Sequence, residues 1–378
     1  MRLNLDLDKG PILIEGHNGA GKSNLLEALY MMAVAKPHRS RLDRECINWD
    51  IADGFNFAEV SGKVKKSNKD LDVKILIHSD MISKIDSQAM DQQALNPNYK
   101  KTLTINGTNN QLSQFIGQVN VVLFDAEDMK IIYGPPATRR KFIDICVSQT
   151  DVNYFKLLQA YNTVLSNRNR LLKSIRQGNA AKDELLFWNN QLVEHGSYLI
   201  QKRYYVIEKM NNLIKGIFKS ILQDEEQLEI FYSPNNKSTS YDSLDEIRSN
   251  FLLRLQEHYS QEVAQGFTVI GPHRDDIQMI LNQNQVASYA SRGQARSIAL
   301  SFKLAQAEYI ENTMYDQPII LLDDVLAELD EVRKHLVMSK IINYEQIILT
   351  TSDIVQVPEE FLKLLNRLVV TKGVINAN

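Results

Sequence analysis

The sequence predicts an α/β body with a helical lobe inserted into it, and three observations carry that expectation. An apolar run, Ile12-Leu13-Ile14, passes through a glycine-rich turn into an amphipathic helix over about 22–35. Two later runs, Ile319-Ile320-Leu321-Leu322 and Ile347-Ile348-Leu349, have the unbroken hydrophobicity of buried parallel strands. Between these ends the apolar residues keep helical spacing from 154 onward.

In chain order, Leu3, Leu5 and Leu7 alternate with polar residues, and Lys9-Gly10-Pro11 turns the chain into the first buried strand. Residues 58–77 read as two strands joined by the polar turn Ser67-Asn68-Lys69-Asp70, and Asn106-Gly107 marks a second hairpin of type I′. Leu158, Tyr161, Leu165, Leu172 and Ile175 then trace a helix capped by Asp151 and stopped by Gly178-Asn179. A second apolar stripe from Leu185 through Trp188, Leu199, Met210 and Ile221 gives a helix of roughly 55–60 Å, folded back on the first as a hairpin. A polar loop over 233–243 contains Pro234, and a helix over about 244–263 follows. Strand character returns at 267–270 and 277–281, and a helix occupies about 294–312. The expected organisation is an N-terminal part of the α/β body over 1–125, a helical lobe over 126–265, and the rest of the body over 266–378.

Composition narrows the class. The chain is 44% hydrophobic, enough for an ordinary globular core. No apolar run approaches the ~20 residues of a membrane span, and residues 1–10 lack a basic-then-apolar signal region. Cys46 and Cys146 form no metal or redox spacing, which suits a reducing interior. The expectation is a cytoplasmic protein with no membrane partner. A net charge of −3 runs against a dedicated nucleic-acid binder; a DNA surface would be local, or built by two copies together.

Three elements carry chemistry. Gly16-His17-Asn18-Gly19-Ala20-Gly21-Lys22-Ser23 matches G-x-x-x-x-G-K-[ST], and Asn24 follows it between strand and helix as the motif requires. Its glycines let backbone N–H groups turn inward around phosphate, and the helix N-terminus adds positive dipole. Lys22 would reach the β- and γ-phosphates of ATP, and the Ser23 hydroxyl would ligate Mg²⁺. Asp323-Asp324 ends a buried strand: Asp323 would hold the metal, and Asp324 would orient or deprotonate the attacking water. Ser291-Arg292-Gly293-Gln294 opens the last long helix and forms a second anion-binding turn, unless Ser291 simply caps its own helix. One nucleotide needs one γ-phosphate cradle, so the second points to another subunit's nucleotide.

Ser291-Arg292-Gly293-Gln294 resembles the signature motif of ABC-type ATPases, and Asp323-Asp324 with Glu328-Leu329-Asp330 is similar to their Walker B and D-loop. Within that class the sequence resembles the RecF family, related to the heads of Rad50 and SMC proteins. The stretches that carry the likeness are Asn18 through Ala28, Pro37-His38-Arg39-Ser40, Val122-Leu123-Phe124 with Glu127-Asp128, Gly134 to Arg140, Gly271-Pro272-His273-Arg274-Asp275-Asp276, and Leu321 to Asp330. They run in family order along nearly the whole chain.

The resemblance implies a two-lobed ABC head that dimerises on ATP and binds duplex or gapped DNA. It implies work with RecO and RecR at damaged DNA, help in loading RecA, and slow DNA-stimulated hydrolysis. By position, Ser291, Gly293 and Gln294 would touch the partner's γ-phosphate, and Asp330 would lie at the dimer interface. RecF chains begin with a strand and an Asn-Phe-Arg-Asn-Tyr stretch ahead of the segment matching Leu3 to Leu7, so a misassigned start is expected here. Asp125-Ala126 stands where the family has Ser-Pro, and Thr351-Ser352-Asp353 stands where many ABC ATPases carry a switch histidine.

Candidate DNA contacts are Lys63, Lys65 and Lys66 on the first hairpin, Arg139, Arg140 and Lys141 at a helix start, and Arg168, Arg170, Lys173 and Arg176 on the first long helix. Each competes with a plain solvated face, and Arg168 falls on the apolar stripe, where an ion pair is the alternative. His273 reads as part of a structural turn or as a DNA-lobe contact, since no companion His or Cys spacing supports a metal. Trp188 and Tyr204-Tyr205 read as hairpin core. Two other functions remain in play: the nucleotide-binding subunit of a membrane transporter, and a module that holds ATP or DNA without turnover.

Overall fold

The computed structural model describes the chain except residues 1–2, 8–9, 41, 48–56, 68, 80–98, 223–225, 236–239, 372–373 and 378. It divides into two compact units: Met1–Ala126 with Ile310–Asn378, and Glu127–Tyr309.

In the first unit, β1 (Gly10–Glu15) leads into α1 (Lys22–Val34). β2 (Phe57–Lys65), β3 (Asp70–Ser79), β4 (Tyr99–Ile105) and β5 (Thr108–Asn109) follow, then α2 (Leu112–Phe115) and β6 (Val121–Phe124). The chain returns through β10 (Ile319–Asp323), α11 (Glu331–Ile341), β11 (Gln346–Thr351), α12 (Glu359–Leu362), β12 (Asn366–Thr371) and β13 (Val374–Ala377). Among the described residues one sheet has the order β13-β12-β1-β11-β10-β6, parallel except for the β12–β13 pair. Its central strands are apolar without alternation because both faces are covered. A second, antiparallel sheet, β2-β3-β4-β5, turns its apolar face to the same core. There Ile75 and Ile77 of β3 join Ile12 and Ile14 of β1, Leu26 of α1 and Ile348 of β11.

The register decides the site. Ile14 pairs with Thr350, and Thr350 pairs with Asp323 across the other edge of β11. The end of β1 and the end of β10 therefore stand level, with one strand between them. Ligands of open parallel sheets bind beyond such carboxyl ends.

The second unit contains α3 (Lys130–Tyr133), α4 (Pro136–Thr150), α5 (Val152–Arg176), α6 (Leu185–Leu222), β7 (Leu228–Ser233), α7 (Leu244–Glu257), α8 (Tyr259–Gln265), β8 (Asp276–Leu281), β9 (Asn284–Gln285), α9 (Val286–Tyr289) and α10 (Arg292–Met314). Asp151 caps α5 by accepting the Tyr154 N–H at 2.9 Å. The 38 residues of α6 span about 57 Å and pack along α5 as a helical hairpin.

Some expectations change. Residues 3–7 form no regular element, with Leu3 42% exposed. The strand expected at 267–270 is absent, because Gly271 at φ 126 and Pro272 turn the chain into a single 3-10 turn. The helix expected over 244–263 breaks at His258 into α7 and α8. The lobe boundary expected at 265 falls at Ile310, inside α10. The reason is β8, which pairs with β7 and keeps 266–309 in the helical unit.

Candidate functional site

Gly16 ends β1 with its N–H on the Thr351 carbonyl at 3.3 Å. A Cβ on Gly16 would lie 2.6 Å from the Val370 carbonyl oxygen, so only glycine fits. Gly19 and Gly21 hold φ 79 and 103, the left-handed region that reverses the loop before α1 begins. Lys22 is buried at 7% exposure and folds back over the loop, donating to the carbonyls of Gly16 at 2.6 Å and His17 at 3.1 Å. The ammonium is thereby held at the loop's centre.

Ser23, one residue further on α1, donates to Asp323 Oδ1 at 3.0 Å. Thr350 donates to the same oxygen at 2.9 Å, and Arg39 pairs with Asp323 Oδ2. Ser23 and Asp323 are hard oxygen donors facing one another, the set Mg²⁺ uses together with substrate phosphates. Among the described residues no cluster of three or more His, Cys, Asp or Glu forms a metal cage. These two residues fit a metal shared with a nucleotide.

Asp324 takes a left-handed backbone, φ 54, anchored where its N–H meets the Thr350 carbonyl at 3.3 Å and hydroxyl at 3.2 Å. That twist turns its carboxylate to Ser352, whose N–H and hydroxyl reach Oδ1 at 3.3 Å and Oδ2 at 3.4 Å. Ser352 belongs to the triplet noted in place of a switch histidine, and it grips Asp324 directly. His38 Nε2 lies 2.6 Å from Asp125 Oδ2, which joins the Pro37-His38-Arg39-Ser40 stretch to the end of β6. Sequence reasoning gave no role to Arg39, Thr350 or Ser352; for Arg39 and Ser352 the signal was their place in matched or deviating stretches.

The helical unit holds the second anion turn. Ser291 accepts the Gln294 N–H at 3.2 Å, and the Gln294 side chain accepts the Ser291 N–H at 2.7 Å, a reciprocal capping box at the start of α10. The plain-cap alternative is thus realised, and the turn still presents the N-terminal dipole of a 23-residue helix. Asp330 caps α11 by accepting the Arg333 N–H at 2.9 Å. That bond and the Arg333 guanidinium hold its carboxyl below the usual range.

Several basic candidates are already engaged. Lys66 pairs with Asp316 at 3.1 Å and donates to the Gln118 carbonyl. Arg139 makes a two-pronged pair with Asp276 at 2.6 and 2.9 Å. Arg140 donates to the Asp275 carbonyl at 2.6 Å, its pKa lowered by burial and by Arg203. Arg168 is 1% exposed and bridges Glu262 at 2.6 Å, so the ion-pair alternative holds for it. Each of the four is engaged by a group from elsewhere in the fold, an acid side chain for Lys66, Arg139 and Arg168 and a backbone carbonyl for Arg140. Lys63, Lys65, Lys141, Arg170 and Lys173 remain exposed. His273 donates from Nε2 to the Thr268 carbonyl at 3.0 Å while Nδ1 accepts from Tyr161 at 2.6 Å. Burial pushes its pKa down to about 4, so it is a neutral structural ring. Trp188 meets Phe187 edge-on at the start of α6, where Phe187 is 61% exposed, so this end of the hairpin is not sealed core.

The profile of the RecF/RecN/SMC N-terminal domain family matches residues 1–372. The RecF proteins of Bacillus thuringiensis (strain Al Hakam) and Bacillus cereus (strain B4264), each described as a DNA replication and repair protein, are 35% identical over 377 residues, covering 99% of this chain and 94% of theirs. The chain belongs to the RecF family. A solved structure of the recombination mediator protein RecF with ATP superposes with a TM-score of 0.85 at 29% identity, covering 99% of this chain and 93% of the other. The ABC-type head of the SMC class, with its mixed sheet and helical second lobe, is therefore the fold. Among the described residues no helix is long and apolar enough to cross a membrane.

Proposed function

We propose that this chain is an ATP-operated DNA-binding switch of recombinational repair and replication restart. ATP closes two copies over duplex or gapped DNA, and slow hydrolysis opens them. The observation that carries the reading is the Ser23–Asp323 contact at 3.0 Å, which joins the phosphate loop to the end of β10. RecF relatives are DNA replication and repair proteins, and solved RecF structures hold ATP.

Within one protomer, the loop amides and the Lys22 ammonium bind the β- and γ-phosphates. Ser23 and Asp323 would hold Mg²⁺, which when bound supplies positive charge to the phosphate oxygens. Asp324 accepts a proton from the attacking water, or orients it, with Ser352 keeping the carboxylate in place. Aspartate is shorter than the glutamate used elsewhere, and a serine stands in for the switch histidine, so turnover is slow. The partner protomer contributes Ser291, Gly293 and Gln294 to the γ-phosphate and Asp330 to the interface. Because that site is complete only between two copies, nucleotide shifts the population toward the closed dimer.

DNA is held by phosphate contacts from Lys63, Lys65, Arg170 and Lys173, giving salt-sensitive binding without sequence preference. RecR and RecO are the expected partners, and RecA loading the expected outcome. The deciding experiment is light scattering with and without ATP and Mg²⁺, alongside Lys22→Ala and Ser291→Arg. A mass that doubles with ATP only in the unaltered chain supports the switch; a monomer that binds ATP overturns it.

A further inference from the structure

Gln294, the signature residue expected to meet a partner's γ-phosphate, is already engaged inside its own chain. Its Oε1 accepts the Ser291 N–H at 2.7 Å, and its Nε2 donates to Glu226 Oε1 at 2.5 Å. The acid is fixed in place. Next to it, Gln227 exchanges two hydrogen bonds with Asn282, its N–H to the Asn282 side chain at 2.8 Å and its carbonyl to the Asn282 N–H at 3.0 Å. Asn282 and Gln283 both take left-handed φ, 48 and 67, and form the tight turn between β8 and β9. Glu226 Oε2 is buried with no hydrogen-bond partner among the described residues.

A carboxylate beside the first turn of a long helix is electrostatically favourable, for the same reason that a phosphate is. Glu226 and a γ-phosphate therefore seek the same groups. If a phosphate oxygen took the second hydrogen of Gln294 Nε2, it would stand about 5 Å from the carboxylate. Two anions at that separation in a partly buried site repel strongly. Gln294 also lines an open cleft with Tyr289, which is 74% exposed, and Asn284, so an incoming anion can reach the carboxamide.

We propose that Glu226 is an internal counter-anion of the signature turn. It holds Gln294 until a partner's γ-phosphate displaces it, and thereby sets the ATP concentration at which two copies close. After hydrolysis it retakes Gln294 and favours reopening. This rests on the reading that Gln294 acts across a dimer.

The test is the ATP concentration giving half-maximal mass doubling by light scattering, for the unaltered chain, Glu226→Gln and Glu226→Ala. Glu226→Gln keeps size and hydrogen bonding but removes the charge. Glu226→Ala removes both. Loss of one charge-assisted contact to the competing anion should lower the midpoint about ten-fold in each variant. If Glu226 only positions Gln294, the Gln variant keeps the unaltered midpoint and the Ala variant closes less readily. That pattern overturns the proposal and leaves the dimer reading intact. If none of the three doubles, both readings fall.

Discussion

Arg168→Ala should cost the helical unit about 3–5 kcal/mol of stability while leaving the proposed DNA contacts untouched. Arg168 lies on α5 and is 1% exposed. Its guanidinium donates to Asn189 at 2.8 Å, to Thr268 at 2.7 Å and to Glu262 at 2.6 Å. Glu262 is itself fully buried, and its other oxygen accepts the Val269 N–H at 2.9 Å. Alanine would strand that carboxylate in the interior. Removing one member of a buried pair costs about 3–5 kcal/mol, mostly the desolvation of the abandoned charge. Each kcal/mol shifts Tm by about 2–4 °C in a unit of this size, so thermal unfolding should begin about 6–20 °C lower. Urea unfolding of the full chain, followed by helix content, reads the loss directly. Arg168→Met with Glu262→Met should lose far less than the two single changes added together, since no charge is left alone. Additive losses, or a loss below about 1 kcal/mol for Arg168→Ala, would refute the buried-pair argument. DNA affinity measured below the unfolding range should not change.

Other outcomes follow from the same geometry. Gly16→Ala should abolish ATP binding in an equilibrium dye-nucleotide assay, because its Cβ would meet the Val370 carbonyl at 2.6 Å and displace the loop. Ser352→Ala should lower the ATP turnover rate about three-fold with ATP affinity unchanged, since it removes the hydroxyl contact to Asp324 Oδ2 and leaves the backbone N–H on Oδ1. His273 binds its proton less readily when folded, at about 4, than when unfolded, near 6.5. The neutral ring therefore stabilises the fold above pH ~6.5, and that contribution is lost as pH falls toward 4. The difference in unfolding free energy between the unaltered chain and His273→Gln, measured across that window, should shrink by up to ~3 kcal/mol at the acid end. Lys63→Glu with Lys65→Glu should weaken DNA binding and flatten its salt dependence without altering ATP affinity, as read by fluorescence anisotropy.

The phosphate loop, the buried strands and the helical hairpin were legible in the sequence because each rests on local spacing. Glycine freedom around a loop, unbroken apolar runs and the 3.6-residue stripe need no distant partner to be recognised. The expected pairing of Asp323 with the loop also followed from motif order, although only the β1-β11-β10 register sets Ser23 against it. What the tertiary structure decided is chiefly the fate of charges. A lysine or arginine reads the same in sequence whether it faces solvent or an acid far along the chain. Arg139 finds Asp276, Lys66 finds Asp316 and Arg168 finds Glu262 only once β8, the turn after α10 and α8 are in place. The left-handed twist of Asp324 toward Ser352, and the seating of Glu226 against Gln294, likewise come from backbone pairing with remote strands. Periodicity reports which face is buried, and it carries no information about which polar group will be waiting there.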